Sequence, residues 1–230
     1  MLLSNILLQT ATLTTQAAAE PTTKTLNIFE LATKGGWIMI VLGLLSLYVI
    51  YLFVERYIAL KKALKEDTAF MANVKNCIHN SDLQGAKNLC ASNDSPIGRM
   101  IEKGLSRLGR PLNDINQAVE NVGKMEISKL ESGVSMMATI SNLAPSIGFL
   151  GTVTGMVKAF FDMANAGNNI DIQLLSSGIY EAMVTTVGGL IVGLIASFLY
   201  SIIVGQINKM VFILESRTME FMDLLHEPAE

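Results

Sequence analysis

Charge is absent from long stretches of this sequence. No Asp, Glu, Lys or Arg occurs in residues 37–54, 132–157 or 182–208. Each run is long enough to cross about 30 Å of hydrocarbon as an α-helix. Half of the chain is hydrophobic and only 16% is charged, which argues against a purely soluble protein. The sequence predicts an all-α integral membrane protein with three transmembrane helices.

Other features that are missing exclude further classes of protein. There is no nucleophile elbow, phosphate-binding loop or metal-ligand spacing, so we expect neither an enzyme nor a cofactor or metal site. Basic and acidic side chains nearly balance between the first two uncharged runs, which argues against nucleic-acid binding. Cys77 and Cys90 have no metal-site neighbours and are predicted to be free structural thiols.

The distribution of Lys and Arg predicts the orientation in the membrane. Arg56, Lys61, Lys62 and Lys65 follow the first run, whereas residues 162–178 contain no Lys or Arg. Because basic residues favour the cytoplasmic side, we expect the amino terminus and this loop to lie outside. The basic clusters around Lys61 and Arg107 are interpreted as a solvated surface or a contact with anionic lipids.

These patterns divide the chain into seven parts. They are an external arm (1–34), a first transmembrane helix (35–55), a cytoplasmic helical domain (56–132), a second transmembrane helix (133–161), an external loop (162–178), a third transmembrane helix (179–205) and a cytoplasmic carboxyl-terminal helix (206–230). Residues 1–19 contain a short apolar stretch and end in three alanines, which suggests a signal peptide. The missing basic residues at the start favour an uncleaved arm instead.

The second and third membrane helices are predicted to extend into a cytoplasmic helical bundle. Helical periodicity from Leu112 onward, without a strong breaker, predicts one continuous helix rising into the second span. The third span is likewise predicted to continue past Asn208. Turns are expected at residues 93–96 and 109–111, with Asn113 or Asp114 capping the next helix.

Small and hydroxyl-bearing residues form a stripe on each of the last two spans. At about 100° per residue, each set falls within a narrow arc. The members are Ser141, Pro145, Gly148, Thr152 and Gly155 on the second span and Thr186, Gly189, Gly193, Ser197 and Tyr200 on the third. Lipid does not favour such residues, so the stripes are predicted to face other helices or a lumen. Gly151 and Gly155, like Gly189 and Gly193, have the spacing of close helix packing.

The segments LAPSIGFLGTVTGMVKAF and EAMVTTVGGLIVGL resemble the second and third helices of the MotA/TolQ/ExbB proton-channel proteins. ERY after the first span fits the same family, and the similarity is specific over residues 134–203. Three spans and an external amino terminus resemble ExbB and TolQ rather than the four-span MotA branch. The long external arm favours ExbB.

The resemblance implies a function and a set of partners. Such proteins form a ring, of five copies by the family pattern, in the bacterial inner membrane around a two-copy, single-span ExbD-like partner. Proton flow then drives a TonB-like energy transducer for outer-membrane transport. In the family pattern the pore-lining threonines correspond to Thr152 and Thr186, and the acidic residue that begins the last helix corresponds to Glu181. The alternatives are a TolQ-like or motility motor, serving envelope maintenance or gliding, and a passive membrane scaffold.

The chain itself lacks a titratable group at mid-depth in any span. Glu181 and Lys158 both stand at the outer ends of their spans, so we infer that the central carboxylate, an aspartate by the resemblance, comes from the partner. Thr152 and Thr186 either bind that acid and its waters or bond back to their own helices. Glu181 is either a gate at the outer mouth or the partner of Lys158 in an ion pair. Thr185 is predicted to contact a neighbouring subunit.

Overall fold

In the computed structural model, residues 35–64, 68–80, 82–165 and 172–226 are described. The arm predicted over 1–34 lies outside these residues. Within them the chain forms helices and no strands. The helices are α1 (Gly36–Ala63), α2 (Thr68–His79), α3 (Leu83–Ser92), α4 (Pro96–Leu105), α5 (Leu112–Glu131), α6 (Val134–Asn165) and α7 (Ile172–His226).

Three parts of this fold are long and apolar enough to span a membrane. They are α1, α6 together with the preceding α5, and α7. The predicted all-α membrane protein with three spans is therefore confirmed. α6 and α7 pack against each other along their length, and α1 packs on both. Leu44 and Leu47 of α1 remain exposed, as expected for side chains that face lipid.

The prediction of one continuous helix from Leu112 into the second span is wrong. α5 ends at Glu131 and α6 begins at Val134, with two residues between them. Ser132 is extended (φ −54°, ψ 129°), and Gly133 has φ +78°. A positive φ is accessible to glycine at little cost because glycine has no Cβ. The chain thus changes direction where the helical body meets the second span.

α7 is one helix of 55 residues, which confirms the predicted continuation beyond Asn208. Its last third packs against α2 to α5 and completes the hydrophobic core that they form, which we call the helical body. Phe221, Leu214 and Met210 are buried there together with Ile101 of α4 and Ile115 of α5. This body holds the far end of the third span in place.

The predicted turns bound α4 and α5. The Ser95 hydroxyl accepts a hydrogen bond from the Gly98 amide at 3.0 Å, which caps α4. The predicted cap of α5 at Asn113 or Asp114 is wrong, because α5 begins one residue earlier, after Pro111. The Pro111 carbonyl already accepts hydrogen bonds from the amides of Asp114 and Ile115.

A candidate functional site at the contact between α6 and α7

Small residues bring the backbones of α6 and α7 into direct contact. A Cβ added to Gly189 would lie 2.6 Å from the Ala144 carbonyl oxygen and 2.8 Å from the Gly148 Cα. A Cβ added to Gly148 would lie 2.8 Å from the Thr185 carbonyl oxygen. Real Cβ atoms do not approach backbone so closely, so only glycine fits at these two positions. We call this line of contact the α6–α7 seam.

The seam extends in both directions from Gly148 and Gly189. Toward α5, the ring of Pro145 packs where a Cβ on Gly193 would lie, at 2.6 Å. Toward the loop, a Cβ on Gly155 would lie 2.8 Å from the Ala182 Cβ. Gly151 contacts the Thr185 side chain. Every residue predicted to pack helices thus lies in the seam.

The two threonines predicted to line a pore stand at the edge of the seam, and both are half-buried. The Thr186 hydroxyl donates across the seam to the Gly148 carbonyl oxygen at 3.1 Å. The Thr152 hydroxyl donates to the Phe149 carbonyl oxygen of its own helix at 2.6 Å. A hydroxyl has one proton to donate and two lone pairs. Both threonines therefore present acceptors to anything that lies beside the seam.

The prediction that Thr185 contacts a neighbouring subunit is wrong. Its side chain is buried within the chain, at 2% exposure, and its hydroxyl lies 2.7 Å from the Ala182 carbonyl oxygen and 3.4 Å from that of Gly148. Helical periodicity correctly placed Thr185 and Thr186 in different environments. It gave no sign that Thr185 is the one buried between α6 and α7.

Glu181 and Lys158 are not brought together. Among the described residues no ion pair joins them, and Lys158 is exposed. Glu181 instead points to the beginning of α1, where a Cβ added to Gly36 would lie 2.7 Å from its Oε1. The first turn of a helix carries partial positive charge from its free amides. The N-cap residue Gly35 has no side chain to cap α1, so among the described residues the Glu181 carboxylate is the charge placed at this end.

Two rows of exposed polar side chains run along the halves of α6 and α7 nearer the helical body. The exposed members are Ser135, Thr139, Asn142 and Ser146 of α6 and Ser197, Ser201 and Asn208 of α7. The first row has helical spacing, and its side chains bond back to α6: Thr139, for example, donates to the Ser135 carbonyl oxygen. Nearer the loop, most of the large exposed side chains of α6 are apolar, Phe149 and Val153 among them. Attention to this spacing would have revealed the rows in the sequence.

The model of the MotA/TolQ/ExbB proton channel family matches residues 92–216, which include α4, α5, the whole seam and both threonines. This match covers more than half of the 230 residues. The chain belongs to the MotA/TolQ/ExbB proton channel family. Its position in a family of membrane transport components agrees with the three apolar helices.

Individual relatives support the ExbB branch of the family. The chain is similar to an ExbB homologue of Methanothermobacter thermautotrophicus, 27% identical over 183 residues, which are 79% of this chain and 64% of the relative. It is also 27% identical over 185 residues to an ExbB-like protein of Synechocystis, covering 79% of this chain and 72% of that one. TolQ of Haemophilus influenzae is 32% identical over 104 residues, 45% of each chain. The alignment thus spans less than two thirds of the first relative's length.

Proposed function

We propose that this family member is the ring-forming subunit of a proton-driven motor in the bacterial inner membrane. Several copies, five by the family pattern, surround the membrane helices of an ExbD-like partner, and proton flow through the assembly energises a TonB-like protein for outer-membrane transport. The amino terminus lies in the periplasm, and the helical body lies in the cytoplasm.

The observation that carries this proposal is the pair of exposed polar rows on two helices whose central parts, residues 134–157 and 182–208, have no charged residue. Hydroxyl and amide groups gain nothing from contact with acyl chains, so a surface that bears Thr139, Asn142 and Ser201 is suited to water or to protein. A ring of several copies would place such rows around a common lumen.

The same helices explain why a partner is required. No acid lies at mid-depth in α6 or α7, and an intramembrane carboxylate is the usual carrier of protons through hydrocarbon. The hydroxyl protons of Thr152 and Thr186 are already engaged in hydrogen bonds to backbone carbonyls. Their free lone pairs suit a protonated carboxylic acid or a water, which are donors. The threonines would therefore stabilise the partner aspartate in its neutral form.

The experiment is a proton-flux measurement in proteoliposomes with an imposed membrane potential. The purified chain alone is compared with the chain co-purified with the ExbD-like protein of the same genome. The chain alone should be proton-tight, and the complex should conduct. Brisk flux through the chain alone would contradict the proposal.

The double variant Thr152→Ala, Thr186→Ala tests the threonines within the complex. It should assemble normally and lose the flux. Thr154→Ala is the matched control, because Thr154 is an exposed threonine of the same helix whose hydroxyl bonds back to the Leu150 carbonyl oxygen at 2.9 Å. It lies about 200° around the helix from Thr152 and should conduct normally.

A passive scaffold is the second candidate function, favoured by the close backbone contacts of the seam. In that case the hydroxyls serve packing alone, and the double threonine variant should retain the activity of the assembly. Gly193→Leu would disrupt assembly under either function, because a side chain there collides with the Pro145 ring. The threonine variant therefore decides between the two.

A further inference from the structure

Two cavities on the helical body carry opposite charge. The first is a groove of about 870 Å³ between α5 and the end of α7. Its acidic side chains are Glu120 from α5 and Glu215 and Asp223 from α7, and Met219 and Met222 form its apolar lining. We call it the acidic groove. Lys124 and His226 also lie in its wall, so acids outnumber the single lysine.

The second cavity, of about 360 Å³, lies between the end of α4 and another face of α5. Its basic side chains are Lys103 and Arg107, opposed by one acid, Asp114. Met125 stands at its edge and is 61% exposed. We call this surface the basic face.

The charges of these surfaces are unpaired within the described part of the chain. No ion pair there involves Glu215 or Asp223 in the acidic groove, or Lys103 or Arg107 on the basic face. Basic side chains elsewhere do find acids: Lys62 of α1 and Arg99 of α4 both bind Asp94. The acidic groove and the basic face are therefore each left with charge that another molecule can complement.

The positions of the two surfaces favour contact between copies of the same chain. At about 100° per residue, Glu120 of the groove lies roughly 140° around α5 from Met125 of the basic face. Surfaces on different sides of a protomer meet head to tail, and such contacts generate rings when the rotation closes. Met219 in the groove is 62% exposed, so each surface also offers an apolar side chain that water does not favour.

We propose that the acidic groove of one copy receives the basic face of the next, with Met125 entering the groove beside Met219. The ring of the proposed function would then be closed below the membrane as well as within it. This inference rests on the proposed ring, but it assigns the contact to particular residues.

Cysteine cross-linking between two differently tagged copies tests the contact. Native thiols are first removed by Cys77→Ser and Cys90→Ala. One copy then carries Met125→Cys, the other carries Met219→Cys, and mild oxidation is applied to membranes. We expect a heterodimer that contains both tags. Neither variant alone should cross-link to itself, because a head-to-tail contact does not bring equivalent residues together.

Leu83→Cys paired with Met219→Cys is the matched control. Leu83 begins α3 and is 43% exposed, and it lies in neither surface, so this pair should not form a cross-link. Charge reversal adds a second readout. Arg107→Glu should lower the Met125–Met219 cross-linking yield about three- to fivefold, the scale expected for one exposed charge pair. Glu215→Arg in the other copy should restore the yield.

The outcomes separate this inference from the proposed function. A complex that conducts protons but gives no Met125–Met219 cross-link, or gives one that is insensitive to Arg107→Glu, would overturn the contact and leave the motor intact. A symmetric cross-link of Met219→Cys with itself would also overturn it. A cross-linked ring that never conducts would overturn the motor instead.

Discussion

The Thr186 hydroxyl donates to the Gly148 carbonyl oxygen on the facing helix at 3.1 Å. This bond joins the second span to the third at a position where glycine leaves α6 without a side chain. Its energetic weight is small, since hydrogen bonds between membrane helices contribute about 0.6 kcal/mol on average. That small value makes the bond useful for separating structure from function.

Thr186→Val replaces the hydroxyl by a methyl group of similar size. We expect it to lower the free energy of unfolding by about 0.6 kcal/mol, measured by thermal unfolding in detergent, yet to abolish proton flux in the partnered complex. Thr186→Ser keeps the hydroxyl group, both its donor and its acceptor lone pairs, and should conduct. If the valine variant conducts like wild type, the Thr186 hydroxyl serves packing only.

Gly189→Ala should destabilise the protein because the added Cβ meets backbone, not a movable side chain. Overpacking of this kind costs about 1–3 kcal/mol. Gly205→Ala is the matched control on the same helix, since a Cβ there meets nothing within 4 Å. Because alanine favours helix over glycine by up to about 1 kcal/mol, the control should be neutral or stabilising in thermal unfolding.

Gly36 and Glu181 are predicted to be energetically coupled. Gly36 has φ +63°, so Gly36→Ala should cost about 1–2 kcal/mol from the backbone alone, plus the collision with the Glu181 carboxylate. In a double-mutant cycle with Glu181→Ala, the second part of the cost should disappear. Additive effects would show that Glu181 does not lie against the beginning of α1 in the membrane.

Glu126 ties α5 to α4 and should make the helical body sensitive to acid. Its carboxylate is buried and accepts hydrogen bonds from Arg99 at 2.6 Å and Lys129 at 2.7 Å. Burial acts to raise the pKa of Glu126, but the bonds and charges of Arg99 and Lys129 outweigh it and hold this pKa below its usual range.

A lowered pKa in the folded state fixes the sign of the pH dependence. The stabilisation from Glu126 is present above the unfolded pKa of about 4.3 and is lost as the pH falls through the folded value. Glu126→Gln should cost about 1–3 kcal/mol at neutral pH, because Arg99 loses a charged partner. The difference in unfolding free energy between the variant and wild type should shrink below pH 4. A constant difference down to pH 3 would contradict this assignment.

The two cysteines, which are free thiols as expected, should differ in reactivity. Burial, followed by the charges of Glu102 and Cys77, raises the pKa of Cys90 to about 11. Because the thiolate is the reactive form, iodoacetamide at neutral pH should modify the half-buried Cys77 well before Cys90. Peptide mass spectrometry over a time course measures the order. Faster modification of Cys90 would show that α3 does not bury it.

Local patterns predicted the parts of this fold that depend on a single helix. The stripes of small residues that contain Gly148 and Gly189 indicated close packing, because lipid gives no reason to place glycine there. The break at Gly133 was missed although a Ser-Gly pair is a turn signal, because glycine is also frequent inside membrane helices. The contact of Glu181 with Gly36 joins residues far apart in the chain, which helical periodicity does not relate. The inward direction of Thr185 likewise depends on where α6 lies.

The uninterrupted α7 gives the chain a mechanical asymmetry. At about 1.5 Å per residue, its 55 residues extend roughly 80 Å as one rod. No break in the helix separates Glu181 near its beginning from Phe221 near its end, so a rotation of one end is transmitted to the other. The parallel connection through α6 and α5 is interrupted by the two non-helical residues Ser132 and Gly133. We therefore expect the helical body to follow movements of the third span more closely than those of the second.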